Sequence, residues 1–277
     1  MIQKFSPPME EVLGRTAAEL RAFLPAPPAW AVVPGTGARE FLDALDEAAP
    51  LPASELAPGY VPGDLFLGKK KERLLLLADP PRDPWKGGRP EEILFLFRLL
   101  SLLGAQELFL TAAGASLDGS VPPGRLALAS DHLNFTEVRP LRHPASQEGA
   151  WPLFPDMTRA YPADLRERIR SLAQCRGVEI PDRVYAGVPG PSLPTPAEFR
   201  FYKDAGASVV SMSGPPWVEA AVQAGLETAL LLAVTQEVDT SAPLPVDLEA
   251  VLASAETAAG SLVEIAFALV EEESEEE

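Results

Sequence analysis

The sequence predicts a single α/β domain, with a central mixed β-sheet flanked by helices. Three observations predict it. Short, nearly unbroken apolar runs alternate along the chain with longer amphipathic stretches, and unbroken runs suit strands covered on both faces. That alternation implies crossover connections, which join neighbours in one mostly parallel or mixed sheet. No repeat of fixed period and no linker divides the 277 residues into two cores, and a chain of this length can bury a sizeable one.

Taken in order, the expected strands are Trp30–Val33, Arg73–Ala78, Glu107–Thr111, Arg125–Ser130, Arg183–Val188, Ser208–Met212 and Thr228–Thr235. The expected helices are Ala38–Ala48, Glu91–Leu103, Ala163–Cys175, Pro196–Ala205, Pro216–Ala224 and Asp247–Val270. Thr195-Pro196-Ala197-Glu198 marks one start clearly. Threonine caps, proline fills the first helical position and glutamate closes a capping box. Pro34-Gly35-Thr36-Gly37 sets a glycine turn between a strand and a helix, which can present backbone N–H groups to an anion and more often serves only as a tight turn. The stretch from Val138 to Tyr161 lacks periodicity and reads as a long excursion. One domain is expected over residues 1–270. The last seven residues, six of them Glu, read as an acidic disordered tail, 271–277.

Composition narrows the function. With 23 basic and 40 acidic residues, the formal charge is −17, which argues against binding phosphate backbones of nucleic acid. The single Cys175 excludes a disulfide framework and a Cys-based zinc cluster, and two histidines, His132 and His143, exclude a His-rich metal site. No metal and no cofactor are expected. The N-terminal residues show no signal-peptide pattern. Apolar clusters such as ILFLFRLLSLLG look too short and interrupted to span a bilayer, so a cytoplasmic protein without membrane contact is expected.

Five ordered segments resemble the trimeric purine nucleoside phosphorylases and their methylthioadenosine phosphorylase relatives. They are Gly35-Thr36-Gly37, Thr111-Ala112-Ala113-Gly114, Asp131-His132-Leu133-Asn134, Phe154-Pro155-Asp156-Met157-Thr158-Arg159-Ala160-Tyr161, and Gly190-Pro191-Ser192 continuing through Thr195-Pro196-Ala197-Glu198 to Met212-Ser213. The resemblance runs from about residue 30 to about residue 265. It implies the phosphorylase-like fold, a homotrimer, and an activity in which inorganic phosphate, as co-substrate, cleaves a nucleoside to base and pentose 1-phosphate. Such chemistry needs no protein nucleophile; positioning and electrostatics dominate.

Carried over by that resemblance, the candidate phosphate-binding residues are Thr36, Arg82, Ala112 (through its backbone N–H) and Ser213. Either hydroxyl taken alone also fits a helix cap. The candidate substrate-binding residues are Trp85, Leu193, Met212, Gln236 and Glu237, with Gln236 the candidate catalytic residue. The departures from the pattern are concentrated at the base and at one phosphate loop. The family's Arg-x-His-x-Tyr falls on Pro81-Arg82-Asp83-Pro84-Trp85, leaving Arg82 one residue from the arginine position. Leu193 and Pro194 replace an aromatic and a glutamate, Thr235-Gln236 replaces Thr-Asn, and a late histidine falls at Asp247-Leu248. Trp151 lies one position from the aromatic that in the family reaches a neighbouring subunit. The alternative reading is a catalytically weak or inactive homologue that binds a ligand or serves a structural role.

Overall fold

All seven expected strands form, and two more join them. The computed structural model describes residues 8–61, 63–82, 86–147, 149–239 and 245–272. Its strands are β1 (Trp30–Pro34), β2 (Glu47–Leu51), β3 (Leu65–Lys70), β4 (Arg73–Ala78), β5 (Glu107–Ser116), β6 (Leu126–Asn134), β7 (Asp182–Gly187), β8 (Val209–Ser211) and β9 (Glu227–Glu237). They make one mixed sheet in the order β2-β3-β4-β1-β5-β8-β7-β6-β9, and β5 also pairs with β9. That last pairing closes β5, β8, β7, β6 and β9 into a ring, with β1 to β4 extending from it as an open arm. The expected mixed sheet is therefore present, part of it curled on itself.

The helices are α1 (Met9–Arg21), α2 (Ala38–Asp43), α3 (Ala53–Leu56), α4 (Pro90–Leu103), α5 (Ala163–Cys175), α6 (Pro196–Asp204), α7 (Pro215–Gln223) and α8 (Leu248–Glu272). Strand alternation sorts the core into two layers. Ala31, Val33, Leu230 and Leu232 face α1, α4 and α7, against Leu13, Leu20, Phe95 and Val218. Trp30, Val32, Ala229 and Leu231 face α2, α5 and α8, against Phe41, Ile169, Leu262 and Ile265. A smaller cluster of Val188, Phe199, Tyr202 and Val210 lies under α6.

Three expectations change. The helix after Gly37 stops at Asp43, and Glu47 onward is strand β2 paired antiparallel with β3; pairing overrides the helix propensity of Glu-Ala-Ala. α8 is long and apolar enough, by length and composition, to cross a membrane. Its Leu262, Ile265 and Leu269 instead pack in the core. α8 also runs two residues into the expected tail: Lys71 Nζ pairs with Glu271 at 2.7 Å and Arg168 Nε with Glu272 at 3.4 Å. The tail residues 273–277 lie outside the described residues.

Candidate active site

β1 pairs with β5 as far as Thr111, and β8 takes up the same edge of β5 at Ala115 and Ser116. The two neighbours part around Ala112–Gly114, a fork of the kind where α/β sheets place ligands. Thr111 fastens the β1 turn to it. Thr36 N–H donates to Thr111 Oγ1 at 3.1 Å, and that hydroxyl donates back to the Thr36 carbonyl at 2.6 Å. Position 35 requires glycine, since a Cβ would lie 2.5 Å from the Thr111 carbonyl oxygen and 3.2 Å from the Trp217 ring. On the other side, Ser211 Oγ donates to the Ala113 carbonyl at 2.8 Å, and Ser213 N–H donates to Ser211 Oγ at 3.3 Å.

Backbone groups alternate along a strand. Thr111 and Ala113 carbonyls face the fork, where Gly35 N–H and Ser211 Oγ reach them, whereas the Gly114 carbonyl accepts from Thr235 Oγ1 on the β9 side at 3.2 Å. Ala112 thus turns its N–H toward β9, and the N–H facing the fork is that of Ala113.

Beside the fork lies a cavity of about 280 Å³, lined by Arg82, Thr136, Glu137, Met212, Ser213 and Trp217 among others. Three expected residues, Arg82, Met212 and Ser213, therefore meet on one wall. Ser213 is no helix cap, because Gly214 holds that position for α7. Nor is Thr36, since Gly37, at φ 81, precedes α2. Prolines fill the first two positions of α7 and remove their N–H donors. That helix start therefore offers no backbone N–H donor at its first two positions.

Arg82 is held in place. Its Nη2 donates to Glu92 Oε1 at 2.7 Å and its Nε to Oε2 at 3.4 Å. Hydrogen bonding to that carboxylate raises the Arg82 pKa above the ordinary arginine value. The Glu92 side chain is fully buried and also receives Arg89 Nε at 3.2 Å.

The remaining expected residues sit elsewhere. Thr36 and Ala112 belong to the fork but not to the cavity wall; the Trp217 ring that lines the cavity packs on Gly35. Leu193 is half-exposed and outside the lining. Gln236 stands opposite Ala115 on β9, also outside it. Glu237 lays its carboxylate against Gly119 in the β5–β6 loop, so it does not turn inward. Trp85 and Asp83 lie outside the described residues. Sequence reasoning missed Ala113, Thr136, Glu137 and Trp217. Trp217 falls in the expected helix Pro216–Ala224 with no motif to mark it as a site residue, and Thr136 and Glu137 carry no periodic signal.

A buried polar network underlies the cavity. Asn134 Nδ2 donates to Glu219 Oε1 at 2.6 Å and Thr136 Oγ1 donates to Asn134 Oδ1 at 2.7 Å. Burial pushes the Glu219 carboxyl up, partly offset by the Asn134 hydrogen bond and by Arg139 and Arg142. Next to Gly214, whose missing Cβ would lie 2.6 Å from the Tyr185 hydroxyl, Tyr185 and Tyr161 share a 3.0 Å hydrogen bond. Tyr161 in turn bonds His132 Nδ1 at 2.7 Å. Burial raises both tyrosine pKa values and lowers that of His132. Among the described residues, no group of three or more His, Cys, Asp or Glu is placed to hold a metal ion.

The model of the phosphorylase superfamily matches residues 30–271. A protein of Bacillus subtilis named purine nucleoside phosphorylase 1 is 30% identical over 226 residues, covering 79% of this chain and 82% of its own. A purine nucleoside phosphorylase of Mycobacterium tuberculosis is 35% identical over 214 residues, covering 74% and 75%. Among solved structures, Schistosoma mansoni purine nucleoside phosphorylase in complex with adenosine superposes with a TM-score of 0.86 at 24% identity, over 94% of this chain and 96% of that one.

Proposed function

The chain belongs to the phosphorylase superfamily, and on that premise we propose that it is a purine nucleoside phosphorylase-like pentosyltransferase acting as one domain. A phosphate oxygen attacks the anomeric carbon of the nucleoside. The glycosidic C–N bond breaks, and the base departs with the bonding electrons and gains a proton. The products are free base and pentose 1-phosphate. The observation that carries this reading is the meeting of Arg82, Ser213 and Met212 on one cavity beside the β1–β5–β8 fork.

In this reading Ser213 donates its hydroxyl to phosphate and Arg82 balances the charge. Met212 and Trp217 form the apolar wall against the sugar. A site dominated by preorganised donors stabilises charge that grows in the transition state without rearranging. Thr36 and the Ala113 N–H stay at the fork, where the Trp217 ring packs on Gly35, and lie outside the cavity lining. Among the described residues no Asn or Gln side chain lines the cavity, and Glu137 is the carboxylate in its lining. Base discrimination is therefore weaker than in a site that hydrogen-bonds the ring edge on several sides.

Three further parts of the reading concern context. We place the protein in the cytoplasm, in purine salvage, with nucleoside and inorganic phosphate as partners and no metal or organic cofactor. We also propose a homotrimer. Trp151, expected near the intersubunit aromatic, is spent within its own chain: its Nε1 donates to Glu10 at 3.0 Å and its ring stacks on Arg98. Phe154, three residues on, is 89% exposed and is the aromatic available to a neighbour.

The test is release of base from inosine, guanosine, adenosine and methylthioadenosine, with and without phosphate. Phosphate-dependent release from at least one supports the reading. No turnover of any, at high enzyme concentration, sinks it in favour of an inactive homologue.

A further inference from the structure

A second concavity, of about 420 Å³, shares the wall formed by Arg82, Ile93, Glu137 and Val138 with the cavity described above. Four arginines line it, Arg82, Arg89, Arg139 and Arg142, together with His143. In a chain with a net charge of −17, such a concentration runs against composition.

Two of the arginines are spoken for. Arg82 and Arg89 bind Glu92, and Arg89 also lies 3.1 Å from Glu91. Arg139 is fixed differently. Its Nη1 and Nη2 donate to the backbone carbonyls of Val138 and Asn134, at 3.1 and 2.6 Å. A guanidinium carries five N–H donors, so Arg139 is oriented with donors to spare. Arg142 is exposed and makes no side-chain hydrogen bond or ion pair among the described residues. Carboxylates are not absent. Glu137 lines the cleft, Glu91 lies 3.6 Å from His143 Nε2, and Glu219 acts on Arg139 and Arg142 from α7 while bonded to Asn134. Glu137 also holds a left-handed backbone, φ 64, which is uncommon for a side chain of this kind. It stands in the partition between the two concavities.

We propose that this cleft is a second oxyanion site, taking inorganic phosphate between Arg139 and Arg142, adjoining the cavity through Arg82. Like charges lining one hollow repel, and an oxyanion relieves that while accepting several charge-assisted hydrogen bonds. The cleft collects phosphate at the border of the reaction cavity, against the repulsion of an acidic protein. This inference stands on the arginine geometry and does not require that the chain be an active phosphorylase.

Calorimetric titration of the full chain with inorganic phosphate, at ionic strength held constant with chloride, tests it. The wild type is expected to bind two phosphates per chain. Arg142→Ala is expected to weaken one of them about tenfold, the worth of one charge-assisted hydrogen bond, without changing the melting temperature measured free of phosphate. Glu137→Gln is expected to tighten the same site, and Ser213→Ala to weaken only the other. Binding by Arg142→Ala and by Arg142→Glu indistinguishable from wild type overturns the proposal, as does a single phosphate that Ser213→Ala abolishes. Two-phosphate binding that depends on Arg142, in a protein without turnover, upholds the cleft and removes the phosphorylase reading. Turnover with no Arg142-dependent binding does the reverse.

Discussion

His132 shows how a residue from a catalytic-looking motif serves the structure. Its ring meets Tyr161 and Tyr185 edge-on and bonds the Tyr161 hydroxyl. Burial, helped by Arg139 and opposed by Asp131, lowers its pKa. Between the folded value and the unfolded value of about 6.5, the unfolded chain binds more protons. The stability that His132 contributes is therefore complete above about pH 6.5 and declines as pH falls through the lowered value. Urea denaturation at several pH values should show that decline, and His132→Phe should lack this part of the slope while losing stability at pH 8. At this scale the sequence was partly legible. Met212-Ser213 was recognisable because its segment keeps the order of a known pattern, and Arg82 because it lies one residue from the pattern's arginine. Trp217, Thr136 and Glu137 were not, since what brings them to the cavity is the packing of α7 and the β6 exit. Nor could the sequence show that Ala113, and not Ala112, turns its N–H to the fork, since only strand pairing sets which way an N–H points.

Helix α4 illustrates the elements. Arg98 lies on it fully buried, donating to Glu10 on α1, to the carbonyls of Ala145 and Ser146 at 3.0 Å each, and to Gln223 on α7 at 2.9 Å. One guanidinium thus joins two helices and the 144–147 turn to a third. Arg98→Met keeps the apolar stem but removes the cation from the Glu10 carboxylate and a donor from the Gln223 amide oxygen and from the Ala145 and Ser146 carbonyls. The expected cost is about 3–5 kcal/mol, read as a lowered denaturation midpoint in urea. The helix itself was legible from its apolar run; its buried cation was not, because an arginine in such a run gives no sign of its partners. Where local chemistry suffices, the sequence was a good guide. The capping box at α6 forms as expected, with Glu198 N–H donating to Thr195 Oγ1 at 3.3 Å and Thr195 N–H to Glu198 Oε2 at 2.6 Å. β2 and β3 were illegible for the opposite reason. The β2 residues are mostly exposed, and its conformation comes from pairing with β3.

For the whole molecule, a ring of five strands with an open arm leaves a fork, and the proposed reading has phosphate and nucleoside meet in the cavity beside it. In the proposed trimer, Phe154 is the aromatic that reaches a neighbouring chain. Sedimentation at micromolar concentration should give three times the chain mass of 29.6 kDa. Phe154→Ala should keep that assembly and raise the KM for nucleoside more than it lowers kcat. A monomer would remove the intersubunit role. The mixed sheet was legible from alternation, but its closure through β5 and β9 was not, because no local pattern encodes a pairing across 120 residues. The central claim is that the cavity bearing Ser213 and Arg82 is where phosphate attacks the nucleoside. Its most direct test is the phosphate dependence of base release by wild type and Ser213→Ala. The account predicts a KM for phosphate raised about tenfold or more, as loss of a charge-assisted hydrogen bond implies, with the KM for nucleoside little changed. Identical phosphate dependence in the two proteins would contradict it.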